Sequence, residues 1–379
     1  MTYCGKEIVR RRGANGLFAK KPAMTPGQTS VTQRLRLGSD LKLQRRYMVI
    51  DEPLMANIRV GLLLEVLDKL AETTALRFVR KVDARARVVT AAMDDLQVRA
   101  APDIEHDMLL RARINFVGRT SLEVGIRIEQ DGPARVHLGT CYFTMVARVE
   151  DSEGERSVPL PPLEYLSVTD KRRFQSAQER RDARSRPKTS EPTLEELAFL
   201  YQLHRRLDES PAPPTLAHDL VTSGWERTYP EYENVPKKIF GGYVAHRAYM
   251  YAHICAEMVA SSRAILVASQ RIDFYQPVRM GDKLHFVSRV TYTGSTSITV
   301  ETAITRISRD RSMTALSNTC VFTFVNADAR LNLLPVPPIY PTTYAEDARY
   351  LDGYRRHRLR SLTHPKVTRL SSHTDGMGA

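Results

Sequence analysis

Hydrophobic residues along the chain follow two periods in alternation. Between Met55 and Val79, the residues Val60, Leu63, Leu64, Leu67, Leu70 and Ala71 recur at i, i+3, i+4, i+7 spacing, which predicts a helix with one apolar stripe. The period then drops to two. In Leu110–Phe116, Leu110, Ala112, Ile114 and Phe116 alternate with Arg111, Arg113 and Asn115. In Leu122–Glu129, Leu122, Val124, Ile126 and Ile128 alternate with Glu123, Arg127 and Glu129. These read as half-buried antiparallel strands joined by a turn at Gly118-Arg119-Thr120, with a third strand through Thr140–Arg148. The same order returns later. Gly242–Val259 predicts a helix with Val244, Ala248, Tyr251, Cys255 and Met258 on one side. Alternating segments follow at Leu284–Tyr292 and Ile298–Ile304, with a turn at Thr293-Gly294-Ser295 between them, and Cys320–Asn326 closes the series.

The two halves align. RINFVGRTSLEVGIRI (Arg113–Ile128) matches RVTYTGSTSITVETAI (Arg289–Ile304) at an offset of 176, CYFTMVARV from Cys141 matches CVFTFVNAD from Cys320 at 179, and the helices match Gly61 to Gly242 at 181. Three features in one order at nearly constant offset indicate a duplication. A helix followed by antiparallel strands, twice over, predicts an α+β fold with each helix packed on one sheet face. Between the copies, the Pro-rich Val158–Tyr165 ends the first unit. A basic run over 171–188 reads as a solvated helix or coil. Thr193-Leu194-Glu195-Glu196 has the form of a capping box opening a short helix to about Arg206, and Ser210–Pro214 then breaks the chain.

Charge is distributed unevenly across this plan. The 379 residues carry a formal +13, which on its own suggests a nucleic-acid or anionic-surface binder. Residues 1–46 hold eleven Lys/Arg against two acids, 171–188 eight against two, and 349–379 seven against two; the remainder, which holds both repeats, is net −7. The basic character thus belongs to the ends and the joint. The Arg-rich, acid-poor first segment has the composition of a mitochondrial transit peptide. The expected layout is a basic segment at 1–46, repeat one at 47–166, a basic linker at 167–215, repeat two at 216–348 and a basic tail at 349–379. Cys4, Cys141, Cys255 and Cys320 stand alone without a C-x-x-C pair, which fits a reducing compartment. No apolar run approaches the ~20 residues of a membrane span. His246 and His253 share a helix face, but no third residue gives them metal-site spacing. Trp225, the only Trp, reads as a core or interface anchor.

A duplicated helix-and-sheet unit of this size resembles the double hotdog fold. The chain is similar to the mitochondrial acyl-CoA thioesterases of the thioesterase 9 type. The likeness is carried by RVGLLLEVLDKLA (Arg59–Ala71), INFVGRTSLEV (Ile114–Val124), FTMVARV (Phe143–Val149), NVPKKIFGGYVAHRAYMYA (Asn234–Ala252), DFYQPVRMGDKL (Asp273–Leu284) and YPTTYAEDARYLDGYRRH (Tyr340–His357). The resemblance covers about residues 50–357 and implies hydrolysis of a fatty-acyl-CoA to free fatty acid and coenzyme A. It implies the coenzyme A thioester as substrate, no metal or other cofactor, and further assembly of double hotdogs into a homo-oligomer.

Thioester hydrolysis needs a positioned water, a group to take its proton, and donors for the developing oxyanion. The resemblance points to Asp68, seven residues after Gly61, as the water-activating base. It points to Asn234, seven before Gly241, as the orienting amide, with Gly241 and Gly242 at a helix N-terminus supplying backbone N–H groups. Read without the resemblance, Asp68 shares a stripe with Glu65 and Glu72 that reads as a solvated face, and Asn234 before Val235-Pro236 reads as a turn residue. The reciprocal positions lack this chemistry: Tyr249 stands where the acid would be and Pro53 where the amide would be, so one competent and one vestigial site are expected. Lys237 and Lys238, just before the helix, are candidates for the phosphates of coenzyme A. The alternative is a catalytically silent hotdog protein whose basic appendages contact RNA in a mitochondrial ribonucleoprotein such as the mitoribosome.

Overall fold

The computed structural model of the chain describes residues 24–132, 134–152, 154–184, 191–235, 238–270 and 272–363. A 3-10 turn at Pro26–Thr29 leads into β1 (Val31–Leu35), α1 (Leu41–Tyr47) and the first long helix, α2 (Val60–Val79). Four strands follow, β2 (Arg87–Val98), β3 (Met108–Val117), β4 (Ser121–Gln130) and β5 (Val136–Asp151), with a short β6 (Gly154–Ser157). The joint holds α3 (Val168–Arg184) and α4 (Leu194–Asp208). The second unit runs β7 (Thr215–Leu216), β8 (Val221–Arg227), β9 (Glu233–Val235), β10 (Lys238–Ile239) and α5 (Gly241–Glu257). It continues through β11 (Arg263–Ser269), β12 (Ile272–Asp273), β13 (Lys283–Thr293), β14 (Ser297–Ile307), β15 (Thr314–Ala327), β16 (Ile339–Tyr340) and α6 (Tyr344–Thr363).

One antiparallel sheet runs through both units in the order β1-β3-β4-β5-β2-β11-β15-β14-β13-β8. Read outward from the centre, the halves repeat each other: β2-β5-β4-β3-β1 against β11-β15-β14-β13-β8. The register repeats too. Ile114 faces Val124 and Val290 faces Val300, and in each half the register shifts just beyond that pair, at Ile114/Phe116 and at Val290/Tyr292. A one-residue slip would turn every side chain to the other face, so a shared register means a shared core pattern. The halves join where Ala268 pairs with Gln97 and Ser269 with Leu96. The fold is the α+β double hotdog.

The apolar stripe of α2 is buried along its length, with Leu64, Leu67 and Ala71 fully enclosed. The helix begins at Val60 rather than near Met55. Ala56 takes a left-handed φ of 58° while its N–H donates to the Pro102 carbonyl, and a helix cannot pass through that conformation. Asn57 then ties down the preceding loop, accepting from the Val49 and Ile50 amides and donating to the Ile50 and Glu52 carbonyls. α2 and α5 lie antiparallel against each other on the same side of the sheet. A Cβ on Gly61 would stand 2.2 Å from the His246 ring, and one on Gly242 3.0 Å from the Glu65 Cα. Two glycines at corresponding positions therefore set the closeness of the helix pair.

Three parts of the expected layout change. Val31–Leu35, within the segment assigned as a basic lead, is an edge strand: Val31 and Leu35 are buried, the three residues between them are exposed, and Val31 pairs with Ala112. The basic linker is not simply solvated. α3 packs on the outer face of the first sheet half, where Phe174 meets Phe116 and Tyr165 at centroid distances of 5.5 and 4.4 Å. Ala177 is buried there, and Arg180 donates to both carboxylate oxygens of Glu123. The start of the basic tail is likewise folded. α6 sets Tyr350 on Tyr292, and Arg355 forms a double hydrogen bond with Glu196 at 2.7 Å. Residues 1–23 and 364–379 lie outside the described residues. Trp225 is a surface residue, 58 % exposed on the edge strand β8 and stacked on His285 at 4.1 Å.

The capping box forms as its sequence predicts: Thr193 Oγ1 accepts from the Glu196 amide, and the Glu196 carboxylate accepts from the Thr193 amide. Glu196 also receives Arg355, so this cap ties the joint to α6. Thr193→Ala is expected to cost about 1 kcal/mol, the usual value of a lost N-cap, read as a lowered urea midpoint at unchanged slope.

Candidate functional site

Asp68 sits two turns into α2, on the side that meets α5, and is 1 % exposed. One carboxylate oxygen, Oδ2, accepts from the Gly242 amide at 2.7 Å, and the other, Oδ1, accepts from the Thr90 hydroxyl at 2.7 Å. The acid of one repeat is therefore seated on the N-terminal turn of the other repeat's helix. The unpaired N–H groups and dipole of that turn favour negative charge. The solvated-face reading of Asp68 does not hold. A packed helix stripe exposed on a monomeric repeat becomes interior when a second helix lies against it.

Burial dominates the electrostatics. It pushes the Asp68 carboxyl up to about 6 from its ordinary 3.8, against the opposing pull of the Thr90 and Gly242 hydrogen bonds; Glu72 adds to the rise and Lys69 counters it. The result is a carboxylate that is mostly ionised at neutral pH but titrates closer to neutrality than an ordinary one. Thr90→Val removes a hydrogen bond that stabilises the charged form. The acid limb of the pH–rate profile is expected to move to higher pH, because the pKa rises when the ionised state loses a donor. Initial rates between pH 5 and 8 read the shift, and an unmoved limb would show that Thr90 does not tune Asp68.

Gly241 opens α5. A Cβ placed there would meet Phe274 at 3.1 Å and Asp68 Oδ2 at 3.3 Å, so the backbone approaches the acid as closely as glycine allows. Gly242 lies one step further, and its N–H is already committed to Asp68. The pair of free backbone donors expected from the sequence is thus reduced: Gly242 holds the acid, and the first N–H of the helix, that of Gly241, is left by position without an intrahelical partner. Asn234 lies in β9, which pairs with β10 directly before α5; its side chain is outside the described residues. Lys237 lies outside them as well, and for Lys238 only the backbone, in β10, is described.

Thr90 and the contact between Glu65 and His246 carry no motif in the sequence. Glu65 and His246 occupy corresponding positions, four residues after Gly61 and Gly242, and meet where the two helices cross: His246 Nδ1 lies 2.7 Å from Glu65 Oε1. His253 instead pairs with the Ala264 carbonyl at 2.9 Å, so the two histidines serve separate structural contacts. Among the described residues no cluster of His, Cys, Asp or Glu could hold a metal ion. Cys141, Cys255 and Cys320 are buried thiols.

Residues 237–312 match the family described as the thioesterase superfamily. Over 355 residues the chain is 26% identical to acyl-coenzyme A thioesterase 9, mitochondrial, of Homo sapiens, an alignment that covers 88% of this chain and 78% of that protein. It is also 26% identical over 355 residues to acyl-coenzyme A thioesterase 2, chloroplastic, of Humulus lupulus, covering 86% and 80%. Protein VdlD of Helicobacter pylori is 33% identical over 152 residues, which is 38% of this chain and 81% of that protein. The chain belongs to the thioesterases of the acyl-CoA thioesterase 9 type. Within this family of acyl-CoA thioester hydrolases, a double hotdog offers two pseudo-equivalent positions, and here they differ in chemistry. In the second, Tyr249 stands on α5 where Asp68 stands on α2. It lines a largely apolar cavity of about 270 Å³ with Val60, Leu63, Leu96 and Leu266. Pro53 falls in the loop before α2. Neither residue offers a carboxylate or an amide side chain.

Proposed function

We propose that this thioesterase hydrolyses fatty-acyl-CoA to a free fatty acid and coenzyme A at the site where α2 meets the N-terminus of α5. The observation that carries this reading is the seating of Asp68 on the Gly242 amide across the two repeats. Asp68 takes a proton from a water as the water oxygen bonds to the thioester carbonyl carbon. The carbonyl oxygen gathers negative charge, and the Gly241 N–H together with the Asn234 amide are the donors assigned to it. The C–S bond then breaks, the proton passes to the leaving sulfur, and acid and thiol depart. No metal or redox group enters this scheme.

The phosphates of coenzyme A need cations near the mouth. Lys237 and Lys238 precede the helix in sequence. Beside the same helix start, a cleft of about 390 Å³ brings Arg46, Lys69 and Arg247 together with Tyr232 and Phe240. A mitochondrial residence is supported by the names of relatives, and assembly of several double hotdogs belongs to the same reading. The silent, RNA-bound alternative draws no support from the relatives, and several basic groups of its linker and tail are engaged within the chain, with Arg180 on Glu123, Arg205 on Glu209, Arg355 on Glu196 and Arg356 on Asp352. Thiol release from a panel running from acetyl-CoA to palmitoyl-CoA tests the proposal. Hydrolysis that persists after dialysis against a chelator is expected, and no release from any member of the panel would sink it.

A further inference from the structure

A second cavity lies on the other side of the sheet from Asp68. It is a solvent-open cleft between α3 and the outer face of β3, β4 and β5, has a volume of about 720 Å³, and is lined by seven arginines and no acid. The strand alternation sends Arg111, Arg113 and Arg127 outward, while Leu110, Ala112, Ile114 and Ile126 go into the core. Four of the seven guanidinium groups have carboxylate partners. Arg113 pairs with Asp170 at 2.7 Å and Arg180 with Glu123 at 2.7 Å, while Arg111 and Arg127 share the single Glu129 at 3.2 and 2.7 Å. The other three, Arg99 at the end of β2 and Arg172 and Arg173 on α3, make no ion pair among the described residues. Seven positive charges thus converge on these three carboxylates and on the buried Asp94, whose charge also acts on Arg180, from two facing walls.

We propose that this cavity is a binding site for an oligophosphate group, separate from the acyl-CoA site. An excess of three guanidinium charges calls for an anion of several charges, which a single carboxylate does not supply. Planar guanidinium groups approaching from different directions suit phosphate oxygens, each able to accept paired N–H bonds. The field in the cavity is already felt by its own side chains: burial lowers the pKa of His137 and so do Arg127 and Arg99, and Arg173 is lowered by burial and by Arg113. A bound anion would relieve that repulsion. A small ligand fits better than an RNA strand. The volume is that of a small-molecule site, and a single strand needs aromatic faces on which bases stack. Of the two rings in the lining, Tyr142 has a face covered by the Arg180 guanidinium at 3.6 Å, and His137 is tied by its Nε2 to Gly139 and Thr140.

Calorimetric titration of the full chain with inorganic tripolyphosphate, with ATP and with a single-stranded RNA of about twelve nucleotides separates the possibilities. One saturable tripolyphosphate site per chain is expected, weakened about tenfold or more in Arg172→Ala/Arg173→Ala and in Arg99→Ala, since each charged hydrogen bond lost is worth about a factor of ten. Arg172 and Arg173 are exposed on α3, and an unchanged circular dichroism spectrum would show the double variant folded. The Arg99 variant tests the opposite wall independently. ATP binding more tightly than tripolyphosphate would assign the phosphate source to a nucleotide, and the reverse order to a free phosphate chain. The proposal falls if tripolyphosphate does not saturate, if neither variant weakens it, if only RNA binds, or if acyl-CoA on Asp68→Asn displaces it. The last result would make the cavity part of the substrate site and would leave the hydrolysis proposal standing.

Discussion

Asp68→Asn is expected to lower acyl-CoA turnover by about 10²–10⁴-fold, the usual worth of a general base, while leaving the fold intact and at neutral pH more stable. The amide keeps the shape of the carboxylate: its oxygen accepts from the Gly242 N–H, and its NH₂ donates to Thr90. It loses only the charge and the ability to take a proton. In the wild type, burial raises the carboxyl to about 6, above its value in the unfolded chain. The native state therefore holds the Asp68 proton more tightly than the unfolded state does. That contribution to stability is fully present below the ordinary carboxyl pKa and is lost as pH rises through about 6. Above that pH, an ionised Asp68 weighs against folding by up to about 3 kcal/mol, two units at 1.36 kcal/mol each. Asn removes this cost. Thermal melts at pH 5 and pH 8 should show the variant gaining on the wild type at both, and more at the higher pH, because the difference opens between the ordinary carboxyl value and about 6. Wild-type kcat/KM should fall as pH drops through about 6, where the base becomes protonated. A variant that hydrolyses acyl-CoA within a few-fold of wild type would dismiss Asp68 as the base. One that melts lower at pH 8 would dismiss the account of its burial.

Gly242→Ala is the second large effect, and it acts through distance. A methyl at this position would lie 2.8 Å from the Phe240 ring and 3.0 Å from the Glu65 Cα. The ring can turn, but the α2 backbone cannot move without shifting the whole helix. The two helices must therefore part by several tenths of an ångström, and the Gly242–Asp68 hydrogen bond stretches with them. Displacements approaching 1 Å at a reacting centre cost about 10²-fold in rate, and a fall of that order in kcat is expected. Stability should drop by about 1–3 kcal/mol from overpacking. Gly61→Ala provides the contrast. Its methyl would strike the end of the His246 side chain, at the corresponding position that serves no acid, so it should affect stability with a much smaller effect on turnover. Equal losses of turnover in both variants would mean that the helix pair matters as a whole, not through the Gly242 amide.

Much of the fold was legible before any coordinates. Helix stripes and strand alternation each report a single buried face, and that face is a local property of the pattern. The repeated offsets supplied the second half, and the structure adds that strand register and a register shift recur with it. What escaped was short or exposed in character: β1 has three consecutive polar residues between two buried ones, and α3 is so rich in arginine that its apolar contacts, Phe174 and Ala177, are outvoted in any average. Trp225 went the other way, since an aromatic on an edge strand need not face the core.

The candidate site was legible only in part. Asp68 and the Gly241-Gly242 helix start could be picked out only through the resemblance to the thioesterases, since the residues alone made Asp68 part of a solvated stripe; the contrast with Tyr249 and Pro53 followed once the two repeats were aligned on those positions. Nothing in the sequence marked Thr90, which lies 22 residues from Asp68 and reaches it only because β2 passes beneath α2.

By itself, then, the sequence determined the duplicated α+β unit, because hydrophobic period and internal repetition are written along the chain. Only the tertiary structure decided that Asp68 is buried, which N–H group holds it and which remains, and that seven scattered arginines face one cavity. Those facts depend on residues far apart in sequence meeting across helices and sheet faces, where burial sets the strength of every charge.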